Sequence, residues 1–239
     1  MNAAHTQRNE AETITVQNQK PYEHTITYDF LKSKSTIRFS SKEIKHLALG
    51  ALMVIAVAIS YVSLSGIFTD LSDMNKATLT TVAATILVIS FFTHEIAHKT
   101  IAQKHRLWAE FRLNLLGSVL TLISAVPLVF FKIISPGAVM VAGYPTTDEM
   151  GKISIAGPIT NIALSTAFLS GSVILAGAIP TEYLIILAFS GYFNAWIAIF
   201  NLIPLGILDG FKIFLWDKKI WAVAFTASVL LLIFSFRYI

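Results

Sequence analysis

Six stretches of apolar residues, about 47–68, 77–98, 113–134, 153–179, 183–208 and 220–236, alternate with short polar connections along the chain. A helix needs about 20 apolar residues to cross a hydrocarbon core roughly 30 Å thick, so the first five are long enough and the sixth suffices if little tilted. The pattern before them differs. Residues 1–20 are polar, lack hydrophobic periodicity and read as a mobile tail. From His24 to Phe39, HTITYDF and STIRF alternate apolar and polar positions around a turn-like KSKS. That pattern predicts two short half-buried strands, paired as a hairpin beside the membrane. Ser40 followed by Glu43 has capping-box spacing ahead of the first apolar run, although a Ser-rich stretch produces such spacing by coincidence as readily. The expected division is a polar segment over 1–46 and a membrane-embedded domain over 47–239, with no internal repeat.

Composition sharpens this reading. With 55% hydrophobic and 13% charged residues among 239, the chain has too little polar surface to face water. The bilayer is its solvent, and the fold class is an all-α polytopic membrane protein with five to six transmembrane helices. The net charge of +4 is carried by basic residues flanking apolar runs, an arrangement that orients a membrane protein and implies no nucleic acid. Because cysteine is absent, disulfides, thiolate zinc ligands and thiol nucleophiles are excluded, and any metal must be held by His, Asp or Glu. About 46 polar residues ahead of the first apolar run argue against a cleaved signal peptide and leave that run as an anchor.

The chemistry begins in the second run, TTVAATILVISFFTHEIAHKTIAQKH, where His94, Glu95 and His98 follow seventeen residues without a charge. This is an H-E-x-x-H motif. Positions i and i+4 of a helix lie one above the other, so both imidazoles can reach one zinc ion while Glu95 touches a metal-bound water. Polar residues deep in a membrane helix are costly and mark function or a partner. The competing reading places them at the helix end as interfacial polar residues near Lys99, Lys104 and Arg106.

Catalytic zinc commonly has three protein ligands. The downstream acids are Glu110, Asp148, Glu149, Glu182, Asp209 and Asp217, and of these only Asp209 directly follows an apolar helix broken by Pro and Gly, in FNLIPLGILDG. Pro204 removes an amide donor, and Gly206 and Gly210 loosen the backbone, so the helix can open where Asp209 turns toward a metal. An ordinary helix-end aspartate is the alternative. At the head of the fourth run, ISIAGPITNIALSTAFLSG, Gly157 and Pro158 are expected to interrupt the helix. Ala156, Gly157, Ala163 and Ser165 permit close approach of a neighbouring helix, so Asn161 faces protein. Plain packing explains these residues as well as catalysis does.

Together, His94-Glu95-Ile96-Ala97-His98, Gly157-Pro158-Ile159-Thr160-Asn161, and Asn201-Leu-Ile-Pro204 leading to Asp209-Gly210 resemble the site-two protease family of intramembrane zinc metalloproteases. The resemblance implies that His94, His98 and Asp209 bind one zinc ion and that Glu95 is the catalytic base. It further implies that Asn201 holds the substrate or the developing oxyanion, with Asn161 supporting the site. The metalloprotease core would cover about 77–215. The chain departs from the pattern at Ile207, where many members have a second proline, and at Phe211, where many have a second glycine. No segment suggests a PDZ or CBS domain.

Six full crossings would leave His98 and Asp209 on opposite faces of the membrane. Removing one crossing between them repairs this, and 113–134, broken by Gly117, Pro127 and Lys132, is the stretch expected to be re-entrant or a short β element. Charge agrees: five crossings with a cytoplasmic N-terminus put 16 Lys and Arg inside and 2 outside, whereas six put 12 inside and 6 outside. Lys76 to His94 is about 27 Å of helix, so the metal would lie in the inner part of the bilayer. The expected location is the cell membrane, and the expected partners are a transmembrane protein substrate and lipid, with no nucleic acid. Thr93, Ser90, Asn194 and Asn201 either line a water route or satisfy interhelical hydrogen bonds. A divalent-metal transporter using the same ligands is the rival function, and it leaves Glu95 without a task. The sequence carries no signal for oligomeric state.

Overall fold

The computed structural model describes residues 37–64, 76–129 and 132–238. The polar tail and most of the expected hairpin lie outside them. The described chain folds as α1 (Ser41–Leu64), α2 (Lys76–Lys104), β1 (Trp108–Leu113), α3 (Leu115–Ser124), β2 (Gly137–Ala142), α4 (Thr147–Ile174), α5 (Thr181–Leu202), α6 (Asp209–Trp216) and α7 (Lys218–Ser235). Among the described residues, α1, α2, α4, α5 and α7 are long and apolar enough to cross a membrane. The chain is thus a polytopic, essentially helical membrane protein with one small sheet.

The third apolar stretch does not cross. Its helix, α3, has ten residues, about 15 Å at 1.5 Å per residue. The strands on either side pair antiparallel, with Trp108 opposite Ala142 and Leu113 opposite Gly137, so the chain leaves and returns at one point. Side chains hold the return against α3. Ser135 N donates to Thr121 Oγ1 (3.1 Å), Ile133 N to Ser124 Oγ (2.9 Å), and Lys132 Nζ to Ser124 O and Ser60 Oγ (2.8 Å each). The polar side of α3 therefore faces the protein, and Leu115, Leu116, Leu122 and Ile123 face outward.

At the start of α1, Ser40 Oγ accepts from Glu43 N at 3.1 Å. Glu43 itself is committed elsewhere: its carboxylate accepts from Lys99 Nζ at 2.5 Å and from Phe111 N at 2.9 Å, with both charged side chains fully buried. One carboxylate thereby joins α1, α2 and β1. The apolar core beside this node includes Val54, Val57, Leu87, Phe91, Phe111, Phe189 and Phe193.

Two local features decide where α4 and α5 run. Thr146 and Glu149 form a capping box at the start of α4, which then continues unbroken through Pro158. The expected interruption at Gly157 and Pro158 is absent, because proline inside a helix deletes one hydrogen bond without forcing an end when neighbouring helices hold the segment. The α5 helix ends at Leu202, six residues before the apolar stretch does. Ile203, ahead of Pro204, is extended (φ −60°, ψ 125°), as the clash of a following proline ring demands. Gly206 adopts φ 53°, a left-handed conformation that glycine takes without strain. The redirected chain starts α6 at Asp209 and α7 at Lys218, where Asp217 Oδ1 accepts from Lys219 N and Ile220 N.

Replacing Glu43 by alanine should strand the buried Lys99 ammonium and destabilise the protein by about 3–5 kcal/mol, with a smaller loss in Glu43→Leu/Lys99→Met; thermal unfolding in detergent checks the ranking. Five crossings would put Ile37 and Tyr238 on opposite faces, so tags joined ahead of the first and after the second should differ in protease protection in sealed vesicles. Protection of both ends alike would require an even number of crossings.

Candidate metal centre

The two histidines stand one turn apart on α2, and α4 fixes both rings. His94 Nδ1 lies 2.6 Å from Asn161 Oδ1, and His98 Nδ1 lies 2.7 Å from the carbonyl oxygen of Ile153. A carbonyl oxygen only accepts, so each Nδ1 carries the proton and each Nε2 presents a lone pair. Asn161 is itself oriented, because its Nδ2 donates to Asn194 Oδ1 (2.9 Å) and Ser90 O (3.4 Å).

The two Nε2 atoms are 3.0 Å apart, and Asp209 Oδ2 completes a triangle at 3.4 Å from His94 Nε2 and 2.9 Å from His98 Nε2. Three electron-pair donors so close together in a buried place repel one another unless a cation sits between them. A tetrahedral zinc with bonds of about 2.0–2.2 Å has ligand-to-ligand edges of about 3.3–3.6 Å, close to this triangle. His94, His98 and Asp209 form the group able to hold a metal ion among the described residues.

Glu95 adjoins this triangle. Its side chain is buried, Oε2 has no hydrogen-bond partner, and the backbone N–H of Val139 on β2 faces the carboxylate. An unpartnered buried carboxylate oxygen is costly, and a water or ligand at the metal would supply the missing bond. The residues present therefore fit zinc with an open coordination position.

Close approach of α4 to α2 depends on Gly157, since a Cβ there would collide with both Nε2 atoms. Gly210 serves α6 similarly: a Cβ would strike the carbonyl oxygens of Leu202 and Ile203, so its absence lets Asp209 reach the histidines. Pro204 follows the end of the preceding helix, and Pro158 is buried within α4 next to Gly157. Asn201 is buried at the end of α5, with Nδ2 donating to Ile197 O at 3.0 Å in its own helix. Of the residues expected either to line a water route or to make interhelical hydrogen bonds, Thr93 bonds within its own helix, Oγ1 donating to Ile89 O, while Asn194 bonds both within its helix, Nδ2 donating to Ser190 O, and across to Asn161.

Asn194 makes the interhelical hydrogen bond that was one of its two expected roles, and through it orients Asn161. Two contributors had no role assigned from sequence. The Ile153 carbonyl gave no signal, because a backbone oxygen has no residue type. Gly151 lets the Trp216 indole lie flush on α4, and Trp216 Nε1 donates to Asp148 Oδ1 at 3.1 Å, fastening α6 beside the histidines.

Gly157→Ala should lower zinc affinity roughly 10–100-fold, the scale seen for groups that orient metal ligands, as read by chelator competition. Gly171→Ala in the same helix should not, because its Cβ would meet Leu187 Cδ1 at an ordinary 3.7 Å.

No protein-family model and no solved structure matches the chain. A protein of Methanocaldococcus jannaschii bearing the name "Putative zinc metalloprotease" is 35% identical over 192 residues, which cover 79% of this chain and 92% of that protein. Identity at this level over nearly the whole relative, together with the metal-ready triad, identifies the family: the chain belongs with that archaeal protein among the zinc metalloproteases, in agreement with the resemblance of its motifs to the site-two proteases.

Proposed function

We propose that the chain is a site-two-type intramembrane protease that hydrolyses peptide bonds in or near transmembrane segments of membrane-protein substrates. The observation that carries this reading is the convergence of two imidazole Nε2 atoms and one carboxylate oxygen at 2.9–3.4 Å, beside the unpartnered Oε2 of Glu95, with both histidines on a helix long and apolar enough to cross a membrane. His94, His98 and Asp209 would hold one zinc ion. Zinc bound there supplies Lewis acidity, polarising the scissile carbonyl and making water acidic enough to attack near neutral pH.

The chain's own residues do the rest. Glu95 takes a proton from the attacking water as its oxygen bonds to the carbonyl carbon. It then returns that proton to the amide nitrogen as the C–N bond breaks, leaving a carboxylic acid and an amine. Asn201 is assigned to hold the substrate or its developing oxyanion, and Asn161 keeps His94 in the metal-binding tautomer. A helical substrate hides its carbonyls in internal hydrogen bonds and must unwind locally before attack. The small sheet offers a place for the unwound segment. On β1 the outward N–H groups of Phe111 and Leu113 are taken by Glu43 and His46, so the edge assigned to receive the segment is that of β2, which lies beside Glu95 through Val139. We assign the protein to the cell membrane, with a cytoplasmic N-terminus and the metal toward that face.

A transporter using the same ligands would have no use for a buried carboxylate aimed past them. Glu95→Gln should retain zinc while slowing cleavage of a single-span reporter by at least about 10²–10⁴-fold. His94→Ala and Asp209→Ala should lose both metal and cleavage. Unchanged cleavage by Glu95→Gln would remove this mechanism.

A further inference from the structure

The two oxygens of Asp209 face different partners. Oδ2 meets the histidine pair, whereas Oδ1 lies 3.7 Å from the Nζ of Lys212, one turn along α6. Asp209 is mostly buried and Lys212 is about one-third exposed, so the ammonium reaches inward from the rim of the site. Acid ahead of base at this spacing on a helix, with the acid in the first turn, is a stable arrangement. With its lysine at the rim and open to solvent, a pair of this kind adds little to folding. Its consequence lies in which way the carboxylate turns.

We infer that Lys212 is a positioning residue: it holds Oδ1 away from the metal position so that Asp209 offers a single oxygen, an inference that rests on the zinc protease reading. A carboxylate free to offer both oxygens would occupy the position that a catalytic zinc must keep open for water and substrate. Lysine also removes negative charge from the ligand set, so metal binding is weaker with it than without it. The same residue thereby trades metal affinity for an open position, and this sets it apart from a residue that merely braces the fold.

The experiment compares wild type, Lys212→Met and Lys212→Arg in detergent, each loaded with zinc or cobalt(II). Lys212→Met should bind zinc at least as tightly as wild type in chelator competition, yet show a kcat lower by roughly 10–100-fold with KM within about twofold. Its cobalt d–d absorption should weaken toward the five-coordinate form while wild type shows the stronger four-coordinate bands, a readout that needs no turnover. Lys212→Arg, which keeps the charge, should recover most of the rate and the wild-type spectrum. Weaker zinc binding by Lys212→Met, an unchanged spectrum, or an arginine variant no better than methionine would each overturn the assignment. Wild type that binds metal with the expected spectra but cleaves nothing would instead overturn the protease reading and leave the positioning role standing.

Discussion

The structure turns on two hydrogen bonds that cross from α2 to α4. Imidazole rings on a helix are free to rotate and to choose either tautomer, and only a fixed acceptor at Nδ1 sends Nε2 to a defined point. Asn161 Oδ1 and the Ile153 carbonyl supply those acceptors at 2.6 and 2.7 Å. They can do so because Gly157 brings the backbone of α4 against the rings, where any side chain would collide. Helix packing and metal geometry are therefore one requirement. A small residue at the crossing decides both.

The remaining architecture supplies the other two parts of the site. Pro204 ends α5 early, Gly206 turns the chain, and Gly210 allows α6 to settle on the last carbonyls of α5, which delivers Asp209 to the histidines. The pairing of β1 with β2 brings the chain back to where it left α2, and five helices remain long and apolar enough to cross a membrane. The same pairing lays β2 beside Glu95. Two breaks in helical regularity, the early end of α5 and the β1–β2 return, thus converge on the site.

Polar groups in the apolar interior follow a consistent rule. Glu43 meets Lys99 and a strand amide, Lys132 meets a hydroxyl and the carbonyls that end α3, and Asn161 meets Asn194 and His94. Each is satisfied, as groups removed from water must be. Among the described residues, Glu95 Oε2 and Gln103 Oε1, both on α2, are buried without a partner, and of the two it is Glu95 that stands next to a metal-binding histidine.

What the residues alone determined was the local part. Apolar run lengths, the charge asymmetry and the i, i+4 spacing of His94 and His98 specify membrane helices and a metal-binding face, because each depends only on near neighbours. Asp209 was legible for the same reason, through the proline and glycines beside it. The tertiary structure alone decided that α4 would pass intact through Pro158 and that Ile153 would lend its carbonyl to His98. It also decided that Asn161 would meet His94 across 67 positions of sequence. Contacts of this kind join residues that no periodicity links, and a backbone oxygen carries no identity to read. They exist only once helices pack, since packing alone brings such atoms within hydrogen-bonding distance.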